Sequence, residues 1–356
     1  MQLAITAIGV VSPIGVGEEA FFAALASGHS GVKDGDSDGE RVARVGDFGA
    51  KQQIAPGSLR RLPRLSQMAI VAGKQALAAG APPYDPTRIG VVLGTGLGTL
   101  EETIAFMRGY VTGGPEAASP LLFPSSVMNA AAGQLALECT LRGVNSTVNH
   151  RDASPLLALT MACDLLTLGR ADALLVGAVD ELSAPALAGY RKLGALAAGL
   201  VPGEGAAMLL LERADDAERR GARVRARVVG RGESGDDRPR VGWGHAAAWP
   251  QAARAVRDAA AGQRIDWVAS GANGTSLDSR ERDAVAAGLG ALPPASSILT
   301  HTGDSFSSAM LRVLGAIFAL EQQRLPGLGR AATVERVLVP SFAQGGANVA
   351  VVLARA

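Results

Sequence analysis

Short runs of β-branched and aliphatic residues alternate with stretches whose apolar residues recur at helical spacing, and this alternation organises the chain. Residues 4–11 read as an apolar strand that stops at Ser12-Pro13, and 17–26 as a short helix. Residues 31–56 turn polar and rich in Gly and Asp, as a surface excursion does. A helix is expected over 66–79 with Ser66 as its N-cap, then a buried strand over 89–93. Helices follow over 101–111 and 125–141, a strand over 143–148, a helix from Pro155, and strands over 171–179 and 205–212. After a charged connector over 215–223 the pattern restarts. Strand 224–231, helix 246–260, strand 265–270, a helix from Asp278, strand 298–302, helix 305–322 and strands 336–341 and 349–353 complete it. The second half repeats the first in the order of its elements, without visible repetition of sequence. The reading is a duplicated, layered α/β fold, with halves 1–215 and 216–356 sharing one core.

Composition narrows the classes. With 48% hydrophobic and 19% charged residues, 356 residues can bury one large core or two fused ones. A net charge of +1 gives no global pull towards nucleic acid or anionic lipid. Cys139 and Cys163 sit among apolar residues without metal-ligand spacing, and read as buried, inert thiols of a reducing compartment. The N-terminus lacks a basic leader. The most apolar long window, 193–211, is interrupted by Gly194, Gly199, Pro202 and Glu204, which argues against a membrane span. A soluble cytoplasmic protein without metal or other cofactor is expected, with no nucleic acid as partner.

The candidate chemistry centres on residues 143–154, a strand, a tight polar turn and the start of a helix. Such a turn sits at a helix N-terminus, where unpaired N–H groups and the positive dipole end favour an anion. Elbows of this kind usually present a nucleophile, but here the elbow residue is Asp152, a poor one. The run Gly94-Thr-Gly-Leu-Gly98 is a weak phosphate-loop signal that lacks the lysine, and reads more simply as a tight strand-to-helix turn. Arg60, Arg61 and Arg64 form either a solvated basic face or a dock for an acidic partner protein. His29 and His245 read as surface residues. The segment 238–245 reads as a loop packing Trp243 against the fold rather than as a nucleic-acid contact.

Taken together and in order, several short motifs resemble the elongating β-ketoacyl-acyl carrier protein synthases of the thiolase-like superfamily. They are Ile8-Gly-Val-Val-Ser-Pro-Ile-Gly15, Arg60-Arg-Leu-Pro-Arg64, residues 122–134 from Leu122 to Gln134, the elbow strand 143–148 and Gly169-Arg-Ala-Asp-Ala-Leu-Leu-Val-Gly177. Pro202-Gly-Glu-Gly-Ala206, Asn273-Gly-Thr-Ser276, Thr300-His-Thr-Gly303 and Ser341-Phe-Ala-Gln-Gly-Gly-Ala-Asn348 complete the set. The resemblance implies the thiolase-like fold, layered α-β-α-β-α. It also implies an elbow cysteine, two histidines, a lysine and an aromatic gate, and none of these is present. Their positions fall on Asp152, Asn273 and Asp304, Leu299 and Gln344 respectively. A loop usual near the family's active-site entrance is cut to 197–201.

A condensing site needs a thiolate to carry the acyl chain and donors aimed at the thioester oxygen. Asp152 would have to form a labile anhydride, and Asp304 adds a second charge that repels malonate. Two such carboxylates raise each other's pKa unless a cation sits between them, and His150, Arg151 and His301 are the cations in view. The expectation is a non-catalytic site filled by a polar network of His150, Arg151, Asp152, His301 and Asp304. The resemblance then implies a chain-length-factor type of subunit, paired with a catalytic ketosynthase and serving an acyl carrier protein in polyketide, aryl-polyene or fatty-acid-like biosynthesis. In that pairing the elbow strand near Asn145, Thr147 and Asn149 forms the interface, and Met107, Leu122 and Met128 wall the partner's tunnel. Singly, each of the latter three reads at least as well as core packing. Arg60, Arg61 and Arg64 are the carrier-docking candidates. Two other readings stay open: a thioester hydrolase using His150, Asp152, His301 and Asp304, and an acyl-carrier-binding scaffold.

Overall fold

A computed structural model describes residues 2–35, 39–236, 249–328 and 330–356. Ten principal strands are β1 (Leu3–Ser12), β2 (Ile89–Gly94), β3 (Asn145–Val148), β4 (Ala173–Asp180), β5 (Gly205–Arg213), β6 (Ala226–Gly235), β7 (Trp267–Ala269), β8 (Ala295–Ser296), β9 (Arg336–Phe342) and β10 (Ala347–Ala354). They form one sheet in the order β8-β7-β9-β10-β6-β1-β5-β4-β2-β3, with the two-residue strand Gly15–Val16 folded back on β1. Outward from the middle, β1-β5-β4-β2-β3 and β6-β10-β9-β7-β8 run through the same order. Their pairings match too, antiparallel for the inner two and parallel for the outer two. Among the described residues, the two five-strand sets pair where Leu3–Ile5 of β1 run antiparallel to Ala226–Val228 of β6.

The principal helices are α1 (Glu18–Ser27), α2 (Arg64–Gly80), α3 (Leu100–Gly113), α4 (Ala130–Glu138), α5 (Ser154–Thr167), α6 (Ala184–Lys192), α7 (Pro250–Ala260), α8 (Leu277–Leu289) and α9 (Ser308–Gln322). A helix that is apolar all round belongs inside. Accordingly α9 is buried at every residue from Ser308 to Leu320, and it shares a core with Leu156, Leu159, Cys163 and Leu166 of α5, between the two strand sets. On one outer face α2 and α4 pack Met68, Ile70 and Leu135 against Val91, Leu175 and Met208. On the other, α7 and α8 pack Val256 and Val285 against Leu338 and Val352. The result is helix, sheet, helix, sheet, helix in five layers.

Some local expectations give way. Residues 31–56 are not merely a surface excursion: Val42, Val45, Phe48 and Ile54 are buried one at a time by irregular chain, so they leave no period to read. α2 starts at Arg64 behind Pro63, and Ser66 lies inside it, buried. The end is capped from a distance by Glu181, whose carboxylate accepts from Leu65 N at 3.1 Å. The expected helix 125–141 shrinks to α4, because Pro124 and the Ser125-Ser126 pair close a tight turn at Phe123–Ser125 first. Residues 299–302 form a single helical turn and not a strand. Ser297 Oγ accepts from Leu299 N, and Thr302 Oγ1 bonds back to Ile298 O. The segment 238–245 falls outside the described residues.

Sheet and helix approach closest at glycines. A Cβ on Gly9 would lie 1.9 Å from Ala72 O of α2, and one on Gly232 would lie 2.0 Å from Ala255 O of α7. Those contacts are backbone, which cannot rotate away. Gly9→Ala is therefore expected to destabilise the fold by about 3 kcal/mol or more. Denaturant titration checks it, and an unchanged midpoint would mean that β1 and α2 stand further apart.

Candidate functional site

The elbow is built by local bonds. After β3 the chain turns through His150 and Arg151, the latter at φ 52°, a left-handed conformation that costs a non-glycine residue about 1 kcal/mol or more. Ser154 holds the turn closed: its Oγ accepts from His150 N at 2.7 Å and donates to Arg151 O at 2.6 Å. Gly94 lets the start of α5 approach β2, since a Cβ there would sit 2.7 Å from the Ser154 carbonyl. Ser341 Oγ of β9 donates to Asp152 O at 2.6 Å and joins the elbow to the second strand set.

Asp152 thereby faces a cavity of about 260 Å³ that Asn273, Leu299, Asp304 and Gln344 also line. Its walls include Tyr190, Leu193, Trp249, Phe306 and Phe342. Burial pushes the Asp152 carboxyl up to about 7, and the charge of Asp304 adds to the effect. Burial also raises Asp304, which is partly compensated by Asn273 Nδ2 donating to its Oδ2 at 2.7 Å and by the nearby Arg312. Asp180, at the end of β4, is likewise raised to about 7 by burial, against the N–H groups it accepts. The Tyr190 hydroxyl is pushed well up by burial and by Asp304, Asp180 and Asp152.

Arg151 lines the cavity, as expected, and its charge lowers the Asp152 pKa; a second, buried cation, Arg312, was missed by sequence reasoning. It projects from α9, 5% exposed, and donates through Nη1 to Ala269 O at 2.9 Å and Pro340 O at 2.6 Å. Burial pulls its pKa down, while Glu281, Asp304 and Asp152 hold it up. Glu281 accepts from Ser270 Oγ at 2.5 Å and Gly271 N at 2.9 Å. A signal was there to be read: Arg312 is the one charge in the apolar run from Ala309 to Leu320, and an arginine in such a helix needs a buried acid.

The five residues expected to form one network do not all meet. Arg151, Asp152 and Asp304 line the cavity. His150 does not: the turn points it outward, exposed, with Nδ1 3.0 Å from its neighbour Asn149 O. His301 does not either. The helical turn at 299–302 sends its ring away, where its Nε2 would be 2.7 Å from a Cβ on Gly327, and burial lowers its pKa. Leu299 lines the wall as an apolar side chain.

The remaining candidates are placed as follows. Arg64 is not available for docking: its Nη2 donates to Val45 O at 2.7 Å and to the buried Glu204 at 2.8 Å, and the guanidinium lies over Phe48. Arg60 and Arg61 stay exposed, each donating only to the turn behind it, at Pro56 O and Gly57 O. The N–H groups of the 94–98 turn are already engaged, Gly96 and Leu97 by Asp180, Gly98 by Thr95 Oγ1 and Thr95 by Val148 O, which removes the phosphate-loop reading. Met107 and Met128 are 46% and 40% exposed, and Leu122 is half-buried, so none of the three is core packing. Asn145 and Asn149 are exposed on the edge strand and beside it, and Thr147 is half-buried between them. Burial raises the Cys163 thiol to about 12 and that of Cys139 to about 11, and neither lines the cavity. Among the described residues no helix is long and apolar enough to cross a membrane, and no three His, Cys, Asp or Glu are grouped to hold a metal.

The profile of the beta-ketoacyl synthase N-terminal domain matches residues 1–217. The chain belongs to the β-ketoacyl synthase family. Within this family it is similar to the 3-oxoacyl-(acyl-carrier-protein) synthase 2 of Vibrio cholerae, at 30% identity over 66% of this chain and 63% of that one. It therefore spans somewhat less than two thirds of the length of that relative. It is 31% identical to the tetracenomycin polyketide synthase ketoacyl synthase beta subunit of Streptomyces glaucescens, over 99% of this chain and 98% of that one. Among solved structures, the ishigamide ketosynthase/chain length factor superposes with a TM-score of 0.88 at 25% identity, covering 100% and 99% of the two chains. The fold of that family is thus kept over the full length of the chain.

The raised Asp152 makes this family member's stability depend on pH. Unfolded, the carboxyl titrates near its ordinary 3.8, and folded it titrates near 7. Between those values the folded chain holds the extra proton, so stability falls as pH rises through that window and stays lower above it. Asp152→Asn is expected to shallow the fall and to raise the melting temperature by a few degrees at pH 8, with no gain at pH 4. Thermal melts across that range test it. Part of the slope remains, because Asp180 and Glu181 are also held near 7.

Proposed function

We propose that this chain is a non-catalytic, ketosynthase-like subunit of the chain-length-factor type. It pairs with an active β-ketoacyl-acyl carrier protein synthase and lends a wall to that partner's acyl tunnel in type II polyketide or related biosynthesis. One observation carries the reading. α3 is fourteen residues long and buries none of them, and it presents Met107, Tyr110 and Val111 to solvent. Leu121, Phe123, Val127 and Met128, on the segment that follows, are exposed beside them. An apolar lobe of this size on a chain of ordinary composition marks a surface that a partner covers. β3, the last strand of the sheet next to this lobe, offers an edge with no neighbour among the described residues. The likeness to a polyketide synthase beta subunit and to a ketosynthase/chain length factor supports the same partner class.

The cavity supports the non-catalytic half. No thiol lines it, and no imidazole among the described residues reaches it. An ionised Asp152 beside Asp304 repels a malonyl carboxylate, and a protonated Asp152 is no nucleophile. A hydrolase built on His150 and His301 loses its support for the same reason, since neither ring meets the acids. Carrier docking rests on Arg60 and Arg61 without Arg64.

Co-expression with a cysteine-bearing ketosynthase, followed by gel filtration, tests the pairing. A mixed dimer is expected, and the double variant Leu121→Asp, Phe123→Asp is expected to weaken it by about a hundredfold while leaving the melting temperature of the lone chain unchanged. A chain that pairs only with itself, or that stays alone, defeats the proposal. The Asp152→Cys variant by itself is expected to show no condensation of acyl and malonyl carriers; turnover by that variant would overturn the non-catalytic reading.

A further inference from the structure

A helix with no fully buried side chain, packed only through half-buried residues such as Ile104 and Phe106, takes little of its position from packing. The bonds that place α3 are concentrated at its start. Asp180, 2% exposed at the end of β4, accepts from Thr95 Oγ1 at 3.0 Å, Gly96 N at 3.0 Å and Leu97 N at 2.9 Å. Thr95 Oγ1 accepts in turn from Gly98 N at 3.0 Å. From the other side, Asn149 Nδ2 donates to Thr95 O at 2.9 Å and Gly96 O at 3.0 Å. The turn is therefore gripped between a buried carboxylate and the residue that follows the edge strand.

What leaves that turn is the lobe. Thr99 opens α3, and its Oγ1 donates to Ser125 O. Thr103 Oγ1 donates to Thr99 O and Ser126 O, both at 2.9 Å. Met128 also lies against the turn, since a Cβ on Gly98 would be 2.7 Å from its Sδ. The exposed apolar residues of α3 and of 121–128 thus share one base, and Asp180 is its deepest attachment.

We infer that Asp180 is a positioning residue for the partner-facing lobe: by locking the 95–98 turn it fixes where α3 and residues 121–128 meet the partner and bound its tunnel. The inference rests on the pairing proposed above. Asp180 touches neither partner nor acyl chain in this arrangement, and it acts through the turn. A buried carboxylate that accepts three donors is hard to replace, because removing it leaves two backbone N–H groups and a hydroxyl unsatisfied inside the protein.

Three measurements test it. In the lone wild-type chain, hydrogen exchange is expected to be slow at the amides of Gly96, Leu97 and Gly98 and much faster along the middle of α3; fast exchange in the turn would overturn the inference. In the mixed dimer, Asp180→Ala is expected to weaken pairing at least tenfold and to broaden the distribution of product lengths. Asp180→Asn, which keeps an acceptor oxygen, should restore pairing to within about threefold of wild type. Thr95→Val, isosteric and able to fold where the alanine variant fails, should broaden the product lengths in the same direction. If the wild-type chain pairs, and these variants pair and yield products as it does, the inference falls while the pairing stands. If the wild-type chain does not pair at all, the underlying reading falls first.

Discussion

A guanidinium enclosed by protein needs acceptors and a negative field, and the interior supplies Arg312 with both at Nη1 while its Nε stays without an acceptor among the described residues. Two carbonyls take its Nη1, and Glu281, Asp304 and Asp152 supply the negative field that keeps it charged. The dependence runs both ways. Without Arg312, Arg151 would be left, among the described residues, as the one cation on a cavity lined by Asp152, Asp278, Glu281 and Asp304, and the buried Asp152 and Asp304 would be harder still to ionise. Removing one member of such a cluster costs more than the cluster contributes, because the rest are left uncompensated. This makes the charged lining of the cavity resistant to piecemeal change. Asp152, Asp304 and Arg312 are coupled electrostatically, and a change at one is felt by the other two.

The layers were legible from the chain because burial on both faces leaves continuous apolar runs. Residues 4–11, 89–93, 171–179 and 205–212 all proved to be strands to within a few residues. α9 was legible for a related reason, being apolar on every side. What escaped was set by contacts distant in sequence. The cap of α2 comes from Glu181, not from Ser66, and the grip on the glycine turn comes from Asp180. Residues 299–302 are β-branched enough to suggest a strand, yet two side-chain bonds to the backbone, from Ser297 and Thr302, favour a helical turn.

The site was legible in part. Family spacing placed Asp152, Asn273, Leu299, Asp304 and Gln344, and all five line one cavity. Spacing says where a residue falls along the chain but not which way its side chain turns. That is why His150 and His301, so close in number to the two acids, were grouped with them and stand apart. Arg64 shows the same limit: beside Arg60 and Arg61 in sequence, it is spent on Glu204 while the other two remain in solvent. Arg312 was visible as a lone charge in an apolar helix, but its role depends on Glu281 and on β9, which no local pattern predicts.

The same sheet carries its polar interior at one place and its apolar exterior at another, and the 94–98 turn lies between them. On its inner side a Cβ on Gly96 would strike Phe306, a wall of the cavity, at 2.2 Å. On its outer side it supports the lobe. Glycine at 96 is required by that contact whatever the cavity contains, and Asp180 is required by the amides whatever the lobe meets. The residues that line the cavity can therefore change with little disturbance to this turn. The glycine and the carboxylate are tied to the turn itself, the one by Phe306 and the other by two backbone amides. One turn thus touches both the cavity wall at Phe306 and the base of the exposed apolar lobe, and its geometry is fixed by glycine and carboxylate on either side.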